Sequence, residues 1–555
     1  MSRLSRLRAR LDNAAFIASV FRATGLGRDL HPTRWPRLFR ATRGVKPGPH
    51  LAVMFHAHNN PDKEALVEYG DPGTPPRRVT WGELDAQINQ LGHALVKRGV
   101  KGGDGVALML PNSIEYLVAQ QALTRIGCTA VQIGYRLKAG EIAYILENAE
   151  PAATIVHAAY AQAMTDARAQ VKATDPVLVV GGSNGVKGDS FEAALRDEPG
   201  DAPAKVRGGD GGGVIVYTSG TTGKPKGAKR NWKQTGLEAV ADMMKQVGMR
   251  HDDRHLVVCP MYHSAAPAFV HIMLSLGATV VLMNHFDPEG ALALIQRERI
   301  TSSMMVPTML VRMCALPAEV RAKYDTSSLR WIMSGAAPLS TETARQVGEQ
   351  LGRVLWNFYG ATETGMVTLA GPDDHLAHPG TIGKQLRGNQ LRLLADDGAV
   401  VGPGAVGELY ARNSMLMAGY HKNQGATDDA QRDGFFSVGD LARVDADGFY
   451  YLESRKHDMV ISGGVNIYPR EIEDHLTTHP AILEVAVIGV PDPEWGETLK
   501  AFIVLRHGQQ ISESEIAEYC KAALADYKRP RKVVFIAELP RNPTGKVLKR
   551  ELRDL

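Results

Sequence analysis

The sequence predicts an α/β protein: a large N-terminal body of several subdomains, part layered α/β and part β-rich, followed by a small α+β C-terminal domain. Three observations carry this reading. Strand-like apolar runs alternate with helix-period runs from about residue 50 to 205, and the alternation resumes after residue 227. From about 380 to 455 the texture changes to short strands separated by Gly, Pro, Asn and Asp. Beyond Arg455-Lys456-His457-Asp458 both periods mix in a last stretch of roughly one hundred residues, the size of a small domain. The expected division is therefore a basic arm at 1–46, a main body at 47–456 and a terminal domain at 457–555. A chain of 555 residues is too long for one hydrophobic core.

The arm comes first. It holds ten Arg and one Lys against Asp12 and Asp29, whereas the whole chain has a net charge of +4. Leu4, Leu7 and Leu11 share a helical stripe with Arg3, Arg6 and Arg10 one position behind, and Phe16, Ile17, Val20 and Phe21 follow. Three readings stay open: an amphipathic helix lying on an anionic membrane surface, a leader helix packed on the body, or an Arg-rich, acid-poor transit segment with an organellar address. The segment contains no recognisable nucleic-acid-binding module, so nucleic acid is not expected as a partner. Cys128, Cys259, Cys314 and Cys520 are far apart and form no CxxC pair. That argues against a zinc site or disulfide framework and for a reducing, cytoplasmic setting, on the inner face of a membrane if the arm binds lipid. No apolar run has the length needed to span a bilayer.

In the body, Thr80 is the expected N-cap of a helix and Glu83 closes a capping box, with Leu84, Ile88, Leu91 and Leu95 as the buried stripe. Val106–Leu110 reads as a buried strand and 114–126 as the next helix. Leu256–Cys259, Thr279–Met283, Ser302–Pro307 and Trp331–Ser334 are further strand candidates. In the β-rich part, Gly407–Arg412, Gly434–Asp440 and Asp447–Leu452 read as strands. The terminal domain is expected to hold a helix at Pro469–Leu476, strands at Glu484–Val490, Ala501–Leu505 and Val533–Ile536, and a helix capped by Ser512 with Glu515.

Between the two α/β stretches stands Tyr217-Thr-Ser-Gly-Thr-Thr-Gly-Lys-Pro-Lys-Gly227, directly after the apolar run Val214–Val216. Its glycines allow backbone N–H groups to approach an anion. Thr218, Ser219, Thr221 and Thr222 add hydroxyl donors, and Lys224 and Lys226 add charge. This composition suits a polyphosphate. It is not the common nucleotide loop, because Gly220 and Gly223 are too close together and Pro225 follows Lys224. No helix can start there to place its dipole under the phosphates.

Four later runs join it in a fixed order: Tyr359-Gly-Ala-Thr-Glu-Thr-Gly365, Ser437-Val-Gly-Asp-Leu441, Ser462-Gly-Gly-Val-Asn-Ile-Tyr-Pro-Arg-Glu-Ile-Glu473 and Pro543-Thr-Gly-Lys546. With these the chain resembles an acyl-CoA synthetase of the adenylate-forming, AMP-binding superfamily, over nearly everything from residue 50 onward. The resemblance implies ATP, Mg²⁺ and CoA as cofactors and a carboxylic acid as substrate, joined first as an acyl adenylate and then as a thioester. It implies that Thr218, Ser219, Gly220, Thr221, Thr222, Gly223 and Lys226 hold the phosphates. Lys546, Glu363 and Thr218 are implied as catalytic, with Glu363 the metal-associated carboxylate. Tyr359 would stack on adenine and Thr362 would lie beside the α-phosphate. Asn357, Gly360, Gly335 and Ala336 would border the nucleotide, while Asp440 would bind the ribose diol with Arg455 beside it.

The same resemblance implies a mobile terminal domain that turns about position 457 between the two steps, withdrawing Lys546 and bringing Gly463 and Gly464 to the pantetheine channel. His263, Ala266, Gly335 and Ala336 border the implied acyl pocket. Small side chains at 265, 266, 268, 336 and 337 suit a medium- or long-chain fatty acid, with an aryl or sterol-type acid, or a membrane-associated uptake protein, as alternatives. The hinge departs from the family pattern, since His457 stands where Asp or Lys is usual. Its charge can vary near neutrality, so the thioester step is expected to depend on pH more than adenylation does. The check is to compare pH profiles of the two half-reactions in wild type and His457→Asp; matching profiles in both proteins would remove this expectation.

Overall fold

The computed structural model describes residues 15–26, 28, 31–34, 36, 48–70, 73–182, 187–203, 212–218, 225–231, 236–542 and 546–555. The leucine stripe of the arm, residues 219–224 of the loop and Pro543–Gly545 lie outside the described residues. The chain packs as two compact units. One is drawn from 1–304, 322–330 and 414–429, and the other from 305–321, 331–413 and 430–555.

The first unit is the layered α/β part. Strands Ser302–Met305, Arg254–Val257, Thr279–Met283, Glu64–Tyr69 and Arg77–Thr80 lie side by side in that order, all parallel except the last. A second, eight-stranded sheet runs Gly419–Tyr420, Lys226–Asn231, Gly213–Thr218, Thr129–Gln132, Gly105–Met109, Ala153–His157, Val177–Val180 and Asp189–Ser190. Its six later members are parallel, and its first two are antiparallel. Helix Ile114–Arg125 touches strands of both sheets, and all its residues but Glu115 and Arg125 are buried. A helix covered on every side has no polar face to display, which is why its sequence shows little amphipathic period.

The capping box at Trp81–Lys97 forms as expected: Thr80 Oγ1 accepts from Glu83 N at 3.3 Å, and Glu83 Oε2 accepts from Thr80 N at 2.8 Å. Several expected boundaries shift: the strand expected at Asp447–Leu452 is Tyr450–Arg455, and the one expected at Gly434–Asp440 runs Phe435–Val444. The strand at Ser302 ends at Met305, and Pro307 instead opens helix Pro307–Cys314, where its missing N–H costs nothing. Residues 15–24 are helical, with Val20 and Thr24 buried, and His251 N donates to Thr24 O at 3.1 Å. This part of the arm is packed on the unit, leaving Ile17 and Phe21 exposed. Among the described residues no helix is long and apolar enough to cross a membrane.

The second unit begins with strands Trp331–Ser334, Leu355–Ala361, Gly365–Ala370 and Lys384–Gln385. The first pair is parallel and the others are antiparallel. An antiparallel sheet of Gln390–Leu394, Gly407–Arg412, Phe435–Val444, Gln431–Arg432 and Tyr450–Arg455 packs on it through Tyr359, Val367, Ile382, Leu393, Leu409, Ala411 and Ala442. The C-terminal part of the unit is built on a sheet ordered Val465–Ile467, Val460–Ser462, Gly496–Leu505 and Ile482–Asp492, with Lys532–Phe535 pairing Gly496–Leu505.

Strand alternation sends neighbouring side chains of that sheet to opposite faces. Val487, Leu499, Ala501 and Ile503 meet helices Pro469–Thr477 and Glu513–Ala523 through Ile472, Leu476, Ile516 and Cys520. Ala486, Ile488, Phe502 and Val504 face the other way and are covered by Leu539 and Leu552. Those two leucines are 4% and 0% exposed, so the segment between them is pinned at both ends.

Candidate active site

The hairpin Leu355–Ala361/Gly365–Ala370 carries Asn357, Tyr359 and Gly360, with Thr362 and Glu363 in its turn. Asn357 pairs with Ser334 at the C-terminal end of the parallel strands, where Gly335 and Ala336 follow. Gly335 has a local reason to be glycine, because a Cβ there would fall on the ring of Phe358. Gly360 does too, because a Cβ would strike the carbonyl of Gly365 across the hairpin. Ala336 has φ 65°, a left-handed conformation that a residue with a Cβ rarely adopts.

The turn 362–364 joins the two hairpin strands and carries Thr362 and Glu363. It is braced from outside: Ala361 N donates to Thr364 Oγ1 at 3.1 Å, and Asn413 Nδ2 donates to Thr364 O at 3.0 Å and to Asn389 Oδ1 at 2.7 Å. Glu363 is held buried in this turn, at 7% exposure.

Asp440 reaches the same place from the middle of Phe435–Val444, opposite Arg455 on the neighbouring strand. Tyr359 Oη donates to Asp440 Oδ2 at 2.8 Å, and Arg455 Nε lies 3.2 Å from Asp440 Oδ1. The Tyr359 ring is part of the core that joins the two sheets. Its burial, reinforced by the charge of Asp440, pushes the phenol well above its usual range, so it stays a donor.

Lys546 enters this charge cluster from the C-terminal segment. Loss of solvation, with help from Arg455, pulls its pKa down to about 8, against the opposing pull of Asp440, Asp458 and Glu363. Its backbone is closed on Asn542: Asn542 N donates to Lys546 O and Lys546 N donates to Asn542 Oδ1, each at 2.9 Å. Tyr359, Glu363, Asp440, Arg455 and Lys546 thus share one neighbourhood within the second unit. His457 lies nearby, its Nε2 3.8 Å from Asp458 Oδ2. Burial, with Arg455, Lys546 and Arg553, lowers the His457 pKa against the pull of Asp458, which moves its charge change toward acid. Asp458 and Asn542 carry no motif signal and escaped the sequence reading.

The other expected residues lie elsewhere. Gly463 and Gly464 form the turn between Val460–Ser462 and Val465–Ile467, with φ 56° and 82°, and Gly463 N donates to Trp495 O at 2.8 Å. Two successive positive φ values explain both glycines without any ligand. In the first unit, strands Gly213–Thr218 and Lys226–Asn231 are antiparallel neighbours, so the 217–227 run is the connection of a β-hairpin that pairs Thr218 with Lys226. Lys226 Nζ lies over the Tyr420 ring, 5.2 Å from its centroid. Ser219, Gly220, Thr221, Thr222, Gly223 and Lys224 are outside the described residues. Ala266 is buried in the first turn of Ala265–Leu276, and the half-buried His263 packs its ring 4.2 Å from that of Tyr262.

A profile of the AMP-binding enzyme family matches residues 54–421, and one of the AMP-binding enzyme C-terminal domain matches 471–546. The chain belongs to the AMP-binding enzyme family. Among this family's members it is 35% identical to the long-chain-fatty-acid–CoA ligase FadD13 of Mycobacterium tuberculosis, over 88% of this chain and 95% of that one. It is equally identical to a feruloyl-CoA synthase of an Amycolatopsis species, over 86% and 93%. The solved structure of the anthranilate CoA ligase AuaEII with anthranoyl-AMP superposes with a TM-score of 0.83 at 28% identity, covering 92% of this chain and 97% of that one. These place this AMP-binding enzyme within the adenylate-forming acyl-CoA synthetase superfamily.

The geometry yields two expectations. Tyr359→Phe deletes a buried hydrogen bond to a charged group, worth about 1.5–3 kcal/mol. Thermal denaturation should show a lower Tm for Tyr359→Phe than for wild type, and calorimetric titration a weaker Kd for a non-hydrolysable ATP analogue as Asp440 loses the group that orients it. For Lys546 the protonated form prevails below its depressed pKa of about 8 and is lost above it. The kcat/KM of adenylation for ATP, which reports the free enzyme, should therefore fall as pH rises through about 8, and Lys546→Arg should remove that limb.

Proposed function

We propose that this acid–thiol ligase couples a carboxylic acid to ATP as an acyl adenylate and then to CoA, releasing pyrophosphate and AMP. The observation that carries the reading is the gathering of Lys546 with Glu363, Asp440 and Arg455. Adenylation joins two anions: a carboxylate oxygen attacks the α-phosphorus, and the bond to pyrophosphate breaks. A poorly solvated lysine cation offsets the charge that builds there, where low polarity strengthens its effect. Asp440 can accept hydrogen bonds from both hydroxyls of a vicinal diol, once Tyr359 and Arg455 have fixed its plane.

Among the described residues no group of three or more His, Cys, Asp and Glu side chains is assembled to hold a metal. A buried carboxylate is a fitting partner for Mg²⁺, which takes one or two carboxylates and completes its shell with phosphates and water. Glu363 would hold it. The ion, when bound, would neutralise phosphate charge. Thr218 and Lys226 frame the connection that would hold the leaving phosphates. The small domain, with its boundary kept at 456/457, would then turn about His457 to admit CoA. Its thiolate attacks the adenylate carbonyl and AMP leaves.

A medium- or long-chain fatty acid is the leading substrate, on the small side chains of the 265–268 and 336–337 segments and the FadD13 likeness. An aryl acid is the second reading, because the feruloyl-CoA synthase is equally similar. The test is thioester formation with ATP and CoA over a panel of fatty and aryl acids, with Lys546→Ala as control. Fatty acyl-CoA is the expected product. Aryl thioesters alone would move the assignment to the second reading, and pyrophosphate release without any thioester would leave only adenylation.

A further inference from the structure

We propose that Asp458 is a positioning residue for adenylation: paired with Arg553, it ties the turn at the hinge to the segment that carries Lys546. The inference rests on the acyl-adenylate reading above. Lys546 sits in a segment well fastened to its own sheet. Leu539 and Leu552 bury its ends, and an antiparallel bridge joins Arg541 to Val547. Lys549 pairs with Glu473 at 2.7 Å, and Glu473 also accepts from Val487 N at 2.8 Å. None of these contacts reaches the strand that presents Arg455 to Asp440.

Asp458 does reach it. Its N–H donates to Arg455 O at 2.9 Å, forming a tight turn immediately after that strand. Its carboxylate, with only 19% of the side chain exposed, lies 3.8 Å from Arg553 on one oxygen and 3.8 Å from His457 on the other. Arg553 follows directly on Leu552, the buried anchor beyond Lys546. One carboxylate therefore sets the distance between the hinge turn and the lysine segment. In the second half-reaction, where Lys546 is withdrawn, that distance is not used.

The experiment uses the full-length enzyme with Asp458→Asn, Arg553→Gln, the double variant, and Arg553→Lys as the conservative change. Pyrophosphate exchange measures adenylation, and thioester formation from supplied acyl adenylate measures the second step. Asp458→Asn should lower adenylation kcat about tenfold and Arg553→Gln about threefold at unchanged KM for ATP, with the double variant no worse than Asp458→Asn. Arg553→Lys should recover most of the loss, and thioester formation should stay within about twofold of wild type. Equal losses in both steps, or losses that multiply in the double variant, would overturn the proposal. A readout without acid separates it from the functional reading: acylation of the Lys546 amine by an amine-reactive reagent, followed by peptide mass spectrometry. It should be about threefold faster in Asp458→Asn even if wild type adenylates no acid tested. An unchanged labelling rate would sink the positioning role.

Discussion

The second unit is organised around one electrostatic constraint. A lysine cation must be kept where water is scarce without a single counter-ion to quench it. Lys546 meets this by sharing its field among Asp440, Asp458 and Glu363, with Arg455 pressing the other way. Each acid is committed elsewhere as well: Asp440 to Tyr359 and Arg455, Asp458 to the hinge turn, and Glu363 to a braced hairpin turn. The strands, the turn and the terminal segment are the means by which these groups are brought close and kept apart.

Much of this was legible in the sequence where the signal is local. The capping box at Thr80, the strands at Thr279–Met283 and Trp331–Ser334, and the Ser512-capped helix all follow from short-range chemistry, and all are present. The motifs around Tyr359, Glu363, Asp440 and Lys546 could be picked out because each is a compact run. What could not be read is pairing at long separation. Tyr359 and Asp440 are 81 residues apart, and no periodicity announces that the hydroxyl of one will meet the carboxylate of the other. Asp458 and Arg553 are hidden for the same reason. Pro307 reads as strand because its neighbours are apolar, whereas its ring is suited to the first turn of a helix.

The phosphate-loop candidate shows how a motif and its scaffold carry separate information. Its residues promised anion contacts, and its lack of helix-forming sequence ruled out the usual strand–loop–helix cradle. The structure supplies the alternative frame, two antiparallel strands whose last pair is Thr218 and Lys226. The hairpin fixes where the connection begins and ends.

Gly335 and Ala336 sit side by side at the end of a buried strand, yet they answer to different pressures. At 335 any side chain collides with the Phe358 ring, so the position is closed to variation unless the strand itself is repacked. At 336 the side chain is exposed and the conflict is with its own backbone, at φ 65°. A change there alters strain without touching the core. The two positions therefore differ sharply in what substitution would disturb, although both are small and both belong to the same short turn.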